Sequence, residues 1–395
     1  MTYSPIKKLV LGITGGIAAY KAAELVRLLV KQGIDVQVVM TKSACEFITP
    51  ITLQALSGKP VFSEMWDGSI ANGMPHIELS RSADAILIAP ASANFLSKLV
   101  HGSADDLLST LCLARDCPLI VAPAMNKQMW ENPATQRNIQ QLQADDIKVI
   151  GPDAGEQACG EVGLGRMLEP AEIAEWLSTA FLPKIFKGKR ILVTAGPTLE
   201  SIDPVRALTN FSSGKMGYSI ARVAQAMGAE VTLVSGPTSL TTPLVSHFES
   251  VTSAEEMYQA VMYAIAQQDI FIGVAAVADY RPAEYSAKKI KKSGQPLTLE
   301  LIPNRDIIAE VAAMPNAPFC VGFAAESDDL LKHAEEKRQR KKLPLVVANI
   351  ASDTMGKDDA SIVLLDDEGT HTFSYAPKAE LAATLLQHIA NIMNI

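Results

Sequence analysis

The chain is short of the features that define several large classes of protein. Cysteine is scarce: Cys45, Cys112, Cys117, Cys159 and Cys320 are odd in number, widely scattered and without a Cys-x-x-Cys pair. That excludes a disulfide framework and a thiolate zinc site, and it suits a reducing cytoplasm. Basic residues are outnumbered, 35 Lys and Arg against 43 Asp and Glu for a net charge of −8, so nucleic acid is not expected as a main partner. Long apolar runs are also missing. The central run Ile270–Ala278 falls far short of the roughly 20 residues that span a bilayer, and no membrane association is expected. The N-terminal residues lead straight into a strand-like run, so no signal peptide is expected. Charged residues make up only 20% against 48% hydrophobic, a balance foreign to disordered or solvating chains. What remains is a multidomain α/β protein. At about 150 residues per domain, two or three domains with ordinary cores are expected.

What is present falls into two halves that begin alike. Lys7–Gly16 is an apolar run ending in paired glycines, and Ala22, Leu25, Val26, Leu29 and Val30 then recur at the spacing of a one-faced helix over 17–31. Gly33 ends that helix and Asp35–Met40 reads as the next strand. The same grammar restarts at Lys189–Gly196, with a helix from about Met216 to Met227 and a strand at Glu230–Ser235. The intervening stretch Phe181–Gly188 has the proline, glycine and basic residues of a linker. These patterns predict two doubly wound parallel sheets in tandem, Rossmann-like or flavodoxin-like, over 1–188 and 189–395. Further strands are expected at 85–89, 119–122, 269–275, 319–323 and 345–349, helices at 328–342 and 378–393, and a hairpin turning at 366–369. Open sheets of this kind bind ligands at the carboxyl ends of their strands.

In the first half, Thr14-Gly15-Gly16-Ile17 lies at a strand–helix junction where backbone N–H groups and a helix N-terminus favour phosphate. Gly-x-Gly-x-x-Gly is absent, which favours a mononucleotide such as a flavin mononucleotide over a dinucleotide. Thr41 and Ser92 follow the next two strands and suit either a phosphate or a helix N-cap. Two strands leave through Ala-Pro-Ala into a polar residue, at 89–94 and at 122–126, and two such turns can line one cleft. His76 is expected just before a strand, with no second histidine at metal spacing. Asn126 offers an uncharged amide able to hold a carboxylate without a full ion pair. Cys159 sits among Gly160, Gly163 and Gly165, which reads as a mobile flap carrying a thiol.

In the second half, Asn210–Gly217 invites a Walker A reading, but Met216 stands where Ser or Thr must hold magnesium. The segment still favours an anion, with Arg206 close in sequence. Asp279 closes an apolar run and suits a ribose hydroxyl or a metal ion. Basic runs at 288–292 and 337–342 are local positive patches in an acidic chain, and together they point to a triphosphate. In the second run most side chains are expected to face solvent, with one or two turned inward.

In this order, these motifs resemble the bifunctional coenzyme A biosynthesis proteins, in which a phosphopantothenoylcysteine decarboxylase is fused to a phosphopantothenate–cysteine ligase. The residues that carry the resemblance are Thr14–Lys21, Pro75-His76, Pro123–Asn126, Ala158–Gly160, Asn210–Gly217, Ala275–Tyr280 and Lys289–Lys292. The resemblance implies a first half that uses FMN, bound by Gly15, Gly16, Ile17, Thr41 and Ser92. A cysteine carboxylate has no electron sink of its own, and flavin supplies one by oxidising the thiol toward a thioaldehyde. His76 would act as base or orienting group, Asn126 would bind the substrate carboxylate and Cys159 would protonate the enethiol. The second half would activate 4′-phosphopantothenate with CTP and Mg²⁺ as an acyl cytidylate, which the cysteine amine then attacks. Asn210 would contact that intermediate, with Arg206 and Ala276 nearby, and Lys289 would drive its conversion. Gly273, Val274, Ala275, Ala276, Asp279, Arg305, Asp306, Ile307, Ile308, Phe323, Lys337 and Lys341 would bind substrate or nucleotide, with Asp279 also reaching Mg²⁺ directly or through the nucleotide. Arg305 departs from the proline expected at its position. A cytoplasmic homo-oligomer built on trimers of the flavin half is implied. Two other readings compete: decarboxylation of C-terminal cysteine peptides, and a nucleotide-sensing module without turnover.

Overall fold

The computed structural model of the chain describes residues 6–66, 74–158, 160–292, 297–326, 329–350 and 357–395. The chain divides into two compact units, Met1–Phe181 and Leu182–Ile395, at the start of the stretch read as the connection.

In the first unit, β1 (Lys8–Ile13), β2 (Asp35–Met40), β3 (Ala85–Ala91), β4 (Leu119–Pro123) and β5 (Lys148–Val149) form one parallel sheet in the order β2-β1-β3-β4-β5. Alternate side chains of β1 and β3 point to opposite faces and meet different helices. Leu9, Leu11, Ile13, Leu87 and Ala89 join Leu25, Leu29, Ile173 and Leu177 in one core layer. Val10, Ile86 and Ile88 join Phe95, Leu96, Leu111 and Leu142 in the other. Burial on both faces explains why these strands read as unbroken apolar runs. The helix expected over 17–31 is a 3₁₀ turn at Ile17–Tyr20 followed by an α-helix at Lys21–Lys31. After the sheet, β6 (Asp153–Glu156) and β7 (Val162–Arg166) pair as an antiparallel hairpin.

The second unit is built on β8 (Arg190–Ala195). Two short ribbons lie beside its main sheet, one pairing β9 (Leu199–Ser201) with β10 (Ala207–Thr209). The sheet continues with β11 (Glu230–Ser235), β12 (His247–Ser250) and β13 (Ile270–Gly273), and the second ribbon pairs β14 (Tyr280–Pro282) with β15 (Leu301–Pro303). Then come β16 (Phe319–Glu326), β17 (Leu345–Ile350) and the hairpin β18 (Asp359–Leu365) and β19 (Thr370–Pro377). The eight-stranded order is β12-β11-β8-β13-β16-β17-β18-β19, parallel through β17 and antiparallel beyond it.

The strand expected over 269–275 stops at Gly273. Beyond it the chain leaves the ladder and is caught by hydroxyls: Ala275 N–H donates to Thr194 Oγ1 at 3.3 Å and Ala278 N–H to Thr198 Oγ1 at 3.0 Å. Among the described residues, no helix is long and apolar enough to cross a membrane.

Gly236 shows how tightly the loops at the end of β8 are stacked. A Cβ there would stand 1.8 Å from the carbonyl oxygen of Pro197. Gly236→Ala is therefore expected to cost more than the ~1–3 kcal/mol of ordinary overpacking, because backbone rather than a flexible side chain must yield. A urea midpoint indistinguishable from that of the parent chain would contradict this packing.

Candidate active sites

In the first sheet, the connections leave in opposite directions between β1 and β3, and strands parted in this way open a crevice at their carboxyl ends. Thr14 ties the two ends together. Its Oγ1 donates to the Pro90 carbonyl at 2.8 Å and accepts from the Ser92 N–H at 2.9 Å. Thr41 and Ser92 serve as the N-caps weighed above, accepting from Ala44 N–H at 3.2 Å and Phe95 N–H at 3.3 Å. The turn at Gly15-Gly16 differs: no side chain caps the 3₁₀ segment that opens at Ile17. Its first N–H groups are thus left for an anion, while the neighbouring strand ends satisfy their own. This fits the phosphate of a mononucleotide.

His76 is not placed just before a strand. Pro75 occupies the first position of a helix, Pro75–Ser82, where its fixed φ and missing N–H cost nothing, and His76 follows in the first turn. His76 Nδ1 is buried and has no hydrogen-bond partner among the described residues.

The glycines that flank Cys159 belong to the β6–β7 hairpin, whose strands dock on the Asn126 turn. Met125 N–H donates to the Gly165 carbonyl at 2.9 Å, and Lys127 N–H donates to Gln157 Oε1 at 3.0 Å. Gly165 has φ of +139°, and a Cβ on it would lie 2.4 Å from the Met125 carbonyl oxygen. Here glycine permits close approach rather than looseness. Asn126 caps the helix Lys127–Glu131 through Oδ1, accepting from Met129 N–H at 2.9 Å. Its Nδ2 donates to Glu161 Oε2 at 3.0 Å, so the amide already faces a carboxylate. Glu161 is the residue that the sequence reading missed, and its neighbours offer no local signal for it. Cys159 itself lies outside the described residues.

The second unit holds a cavity of about 430 Å³ where β8 and β13 part. Gly273, Val274, Ala275, Ala276, Asp279, Arg305, Asp306, Ile307, Ile308, Phe323, Lys337 and Lys341 all line it. Lys337 and Lys341, one helical turn apart, face inward: Lys337 Nζ donates to the Phe323 carbonyl at 2.6 Å and Lys341 Nζ pairs with Asp306 at 2.6 Å. Arg338 points away to Glu335 and Asp367. Arg305 turns its guanidinium over the Tyr258 ring, 4.4 Å from the centroid.

Lys215, in the segment read as favouring an anion, also lines the cavity, and so does Lys378, which was not foreseen. Lys378 is 7% exposed, and burial, aided by Lys215, pulls its ammonium below the ordinary lysine range. Four lysines around one crevice make it a site for a strongly anionic ligand. Asp279, exposed at the rim, is a hard oxygen donor of the kind that Mg²⁺ prefers.

Arg206, Asn210 and Lys289 do not line that cavity, and one hydrogen bond brings Asn210 to its edge. Asn210 Nδ2 donates to the Ala276 carbonyl at 2.7 Å. Asp203, also missed, gathers the others. Its buried carboxylate accepts from Val205 and Arg206 N–H, each at 2.9 Å, from the Arg206 guanidinium, and from Ile290 N–H at 3.1 Å. Arg206 in turn donates to the Ile290 carbonyl at 2.9 Å. The exposed Lys289 thus stands on a segment clamped by an Arg–Asp pair. The Arg206 guanidinium holds the Asp203 carboxyl well below the usual carboxylate range.

Two family models match the chain: Flavoprotein over residues 2–181, and DNA/pantothenate metabolism flavoprotein C-terminal domain over residues 186–393. The chain is similar to the coenzyme A biosynthesis bifunctional protein CoaBC of Vibrio vulnificus, 49% identical over 393 residues with 98% of each chain covered. The CoaBC of Escherichia coli is 46% identical over 391 residues, covering 97% of this chain and 96% of that one. Among solved structures, the FMN binding protein AtHal3 is similar over 44% of this chain and 96% of its own, at 35% identity and a TM-score of 0.41.

Two outcomes test the geometry. Gly165→Ala should lift the hairpin from the Asn126 turn at a cost of about 1–3 kcal/mol, seen as faster hydrogen exchange at the Met125 amide. Unchanged exchange there would mean that the hairpin is held elsewhere. Asp203 has a folded-state pKa below its unfolded value, so its stabilisation is complete above the ordinary carboxylate range and drains away as pH falls toward the folded value. Asp203→Asn should lower the urea midpoint at neutral pH and flatten this acid dependence. A variant as acid-sensitive as the parent would count against the clamp.

Proposed function

The chain belongs to the family of bifunctional coenzyme A biosynthesis proteins, and from that premise we propose how its two units divide the work. The protein is an enzyme, a flavoprotein of coenzyme A biosynthesis that joins 4′-phosphopantothenate to cysteine and decarboxylates the product. In our reading the first unit carries the decarboxylase and the second the ligase. The observation that supports this division is the contrast between the units: an uncapped glycine turn and the neutral Asn126 amide in the first, a cavity edged by four lysines in the second.

In the first unit, Gly15, Gly16 and Ile17 would receive the phosphate of FMN, with Thr41 and Ser92 bordering it. When bound, FMN supplies the oxidant that makes the substrate sulfur an electron sink for the bond lost with CO₂. Asn126 would release Glu161 and give its N–H to the substrate carboxylate. A neutral donor suits a group that must leave as uncharged CO₂, because a full ion pair would stabilise the ground state most. His76, with a buried ring nitrogen to satisfy, would orient the substrate or take its proton. Cys159 would return a proton to the enethiol.

In the second unit, the carboxylate of 4′-phosphopantothenate attacks the α-phosphate of CTP and pyrophosphate leaves. The cysteine amine then displaces CMP. Lys337 and Lys341 would hold the nucleotide, Asp279 its ribose or Mg²⁺, and Phe323 and the loops 273–276 and 305–308 would enclose it. Asn210, anchored on Ala276, would meet the acyl intermediate together with Arg206. Lys289 would promote its conversion. A homo-oligomer through the flavin unit, trimeric by the family resemblance, completes the reading. Cysteines 45, 112, 117 and 320 are unpaired, which supports the cytoplasm.

Cys159→Ser should abolish release of the decarboxylated product while flavin absorbance and CTP-dependent ligation persist. Lys289→Gln should slow ligation and let the acyl cytidylate accumulate, detectable by mass spectrometry of quenched reactions. Undiminished decarboxylation in the first variant, or parental ligation in the second, would remove that residue from the mechanism.

A further inference from the structure

Outside both crevices, three side chains from separate elements converge beside the β18–β19 hairpin. Asp366 follows the last residue of β18, His371 stands in β19 and His388 lies on the C-terminal helix Lys378–Met393. His388 Nε2 is 2.6 Å from Asp366 Oδ2 and His371 Nε2 is 3.2 Å from Oδ1. The imidazole rings are 4.6 Å apart between centroids and inclined at 59°. One potential ligand atom from each of the three residues falls within 4.8 Å of the others. Asp366 is 6% exposed, and its Oδ1 also accepts the backbone N–H groups of Glu368 at 2.9 Å and Gly369 at 3.1 Å. The carboxylate is therefore oriented by the turn before either histidine is counted.

The geometry points to a binding site for a divalent transition-metal ion of the zinc class, held by His371, His388 and Asp366. A hydrogen-bonded tie between hairpin and helix needs one imidazole on the carboxylate. Here two arrive from different elements, each presenting Nε2. A tetrahedral ion bound at about 2.0–2.1 Å sets neighbouring ligand atoms roughly 3.3 Å apart. The His371 contact, on Oδ1, already has that spacing, and His388 stands closer on Oδ2, so the carboxylate would face the ion with both oxygens. Two imidazoles and one carboxylate favour zinc, nickel or cobalt over magnesium or calcium, which prefer oxygen alone. The backbone donors on Oδ1 act as the outer shell that steadies a metal-binding carboxylate. Ile362 of β18 lines the nucleotide cavity, and Asp366 lies four residues farther on, roughly 13 Å along the strand direction. The ion would clamp the hairpin to the helix and take no part in either reaction.

The test is calorimetric titration of Zn²⁺ into the flavin-loaded full chain, stripped with a chelator and kept in excess Mg²⁺. One saturable equivalent is expected. His371→Ala, at a partly exposed position, should weaken that binding by more than the roughly 10–100-fold that loss of an outer-shell partner costs. Its circular dichroism and CTP-dependent ligation should stay parental. His388→Gln should show the same loss of affinity. No saturable equivalent in the parent chain overturns the site, and so does Zn²⁺ binding that both variants retain unchanged.

Discussion

Parallel strands whose crossovers depart in opposite directions must separate at their carboxyl ends, and both candidate sites depend on that constraint. In the first unit the parting falls between β1 and β3, and in the second between β8 and β13. Everything else at these sites fastens loops across the gap. Thr14 binds Pro90 and Ser92 across one. Thr194, Thr198 and Gly196 bind the 274–279 loop across the other, Ala276 N–H donating to the Gly196 carbonyl at 2.9 Å. Each crevice is thus an outcome of sheet topology, and its chemistry is written on the loops that edge it.

Those loops are charged to opposite purposes. In the proposed division, a carboxylate given up as CO₂ would meet the amide of Asn126 in the first unit, a weaker partner than any cation. The second unit concentrates Lys215, Lys337, Lys341 and Lys378 around a cavity of about 430 Å³, which would suit the triphosphate of the proposed ligase. An acidic chain of net charge −8 keeps these lysines as a local exception, and neighbouring Asp306 and Asp358 hold two of them in place at 2.6 and 2.7 Å.

Much of this was legible in the sequence because it rests on local periodicity. Strands at 35–40 and 230–235 and the helix at 378–393 appear as the apolar pattern predicts. The inward turn of Lys337 and Lys341 follows from their spacing of four on one helix. What escaped depends on partners distant in sequence. The apolar run after Gly273 looks like more strand, and only the Thr194 and Thr198 hydroxyls, some 80 residues away, show why it leaves the sheet. Lys378 reads as an ordinary helix start until the fold turns it into the cavity. Asp203 announces a turn but not its hold on Ile290, and Glu161 gives no sign of Asn126. Composition also does not reveal that Gly165 is pressed against Met125.

The most direct test of the account is a crystal structure of the full chain with FMN and a non-hydrolysable CTP analogue with Mg²⁺. The account predicts flavin density at the ends of β1 and β3, its phosphate on the Gly15-Gly16 turn, and the nucleotide between β8 and β13 within reach of Lys337 and Lys341. Flavin or nucleotide bound away from these strand ends would contradict it.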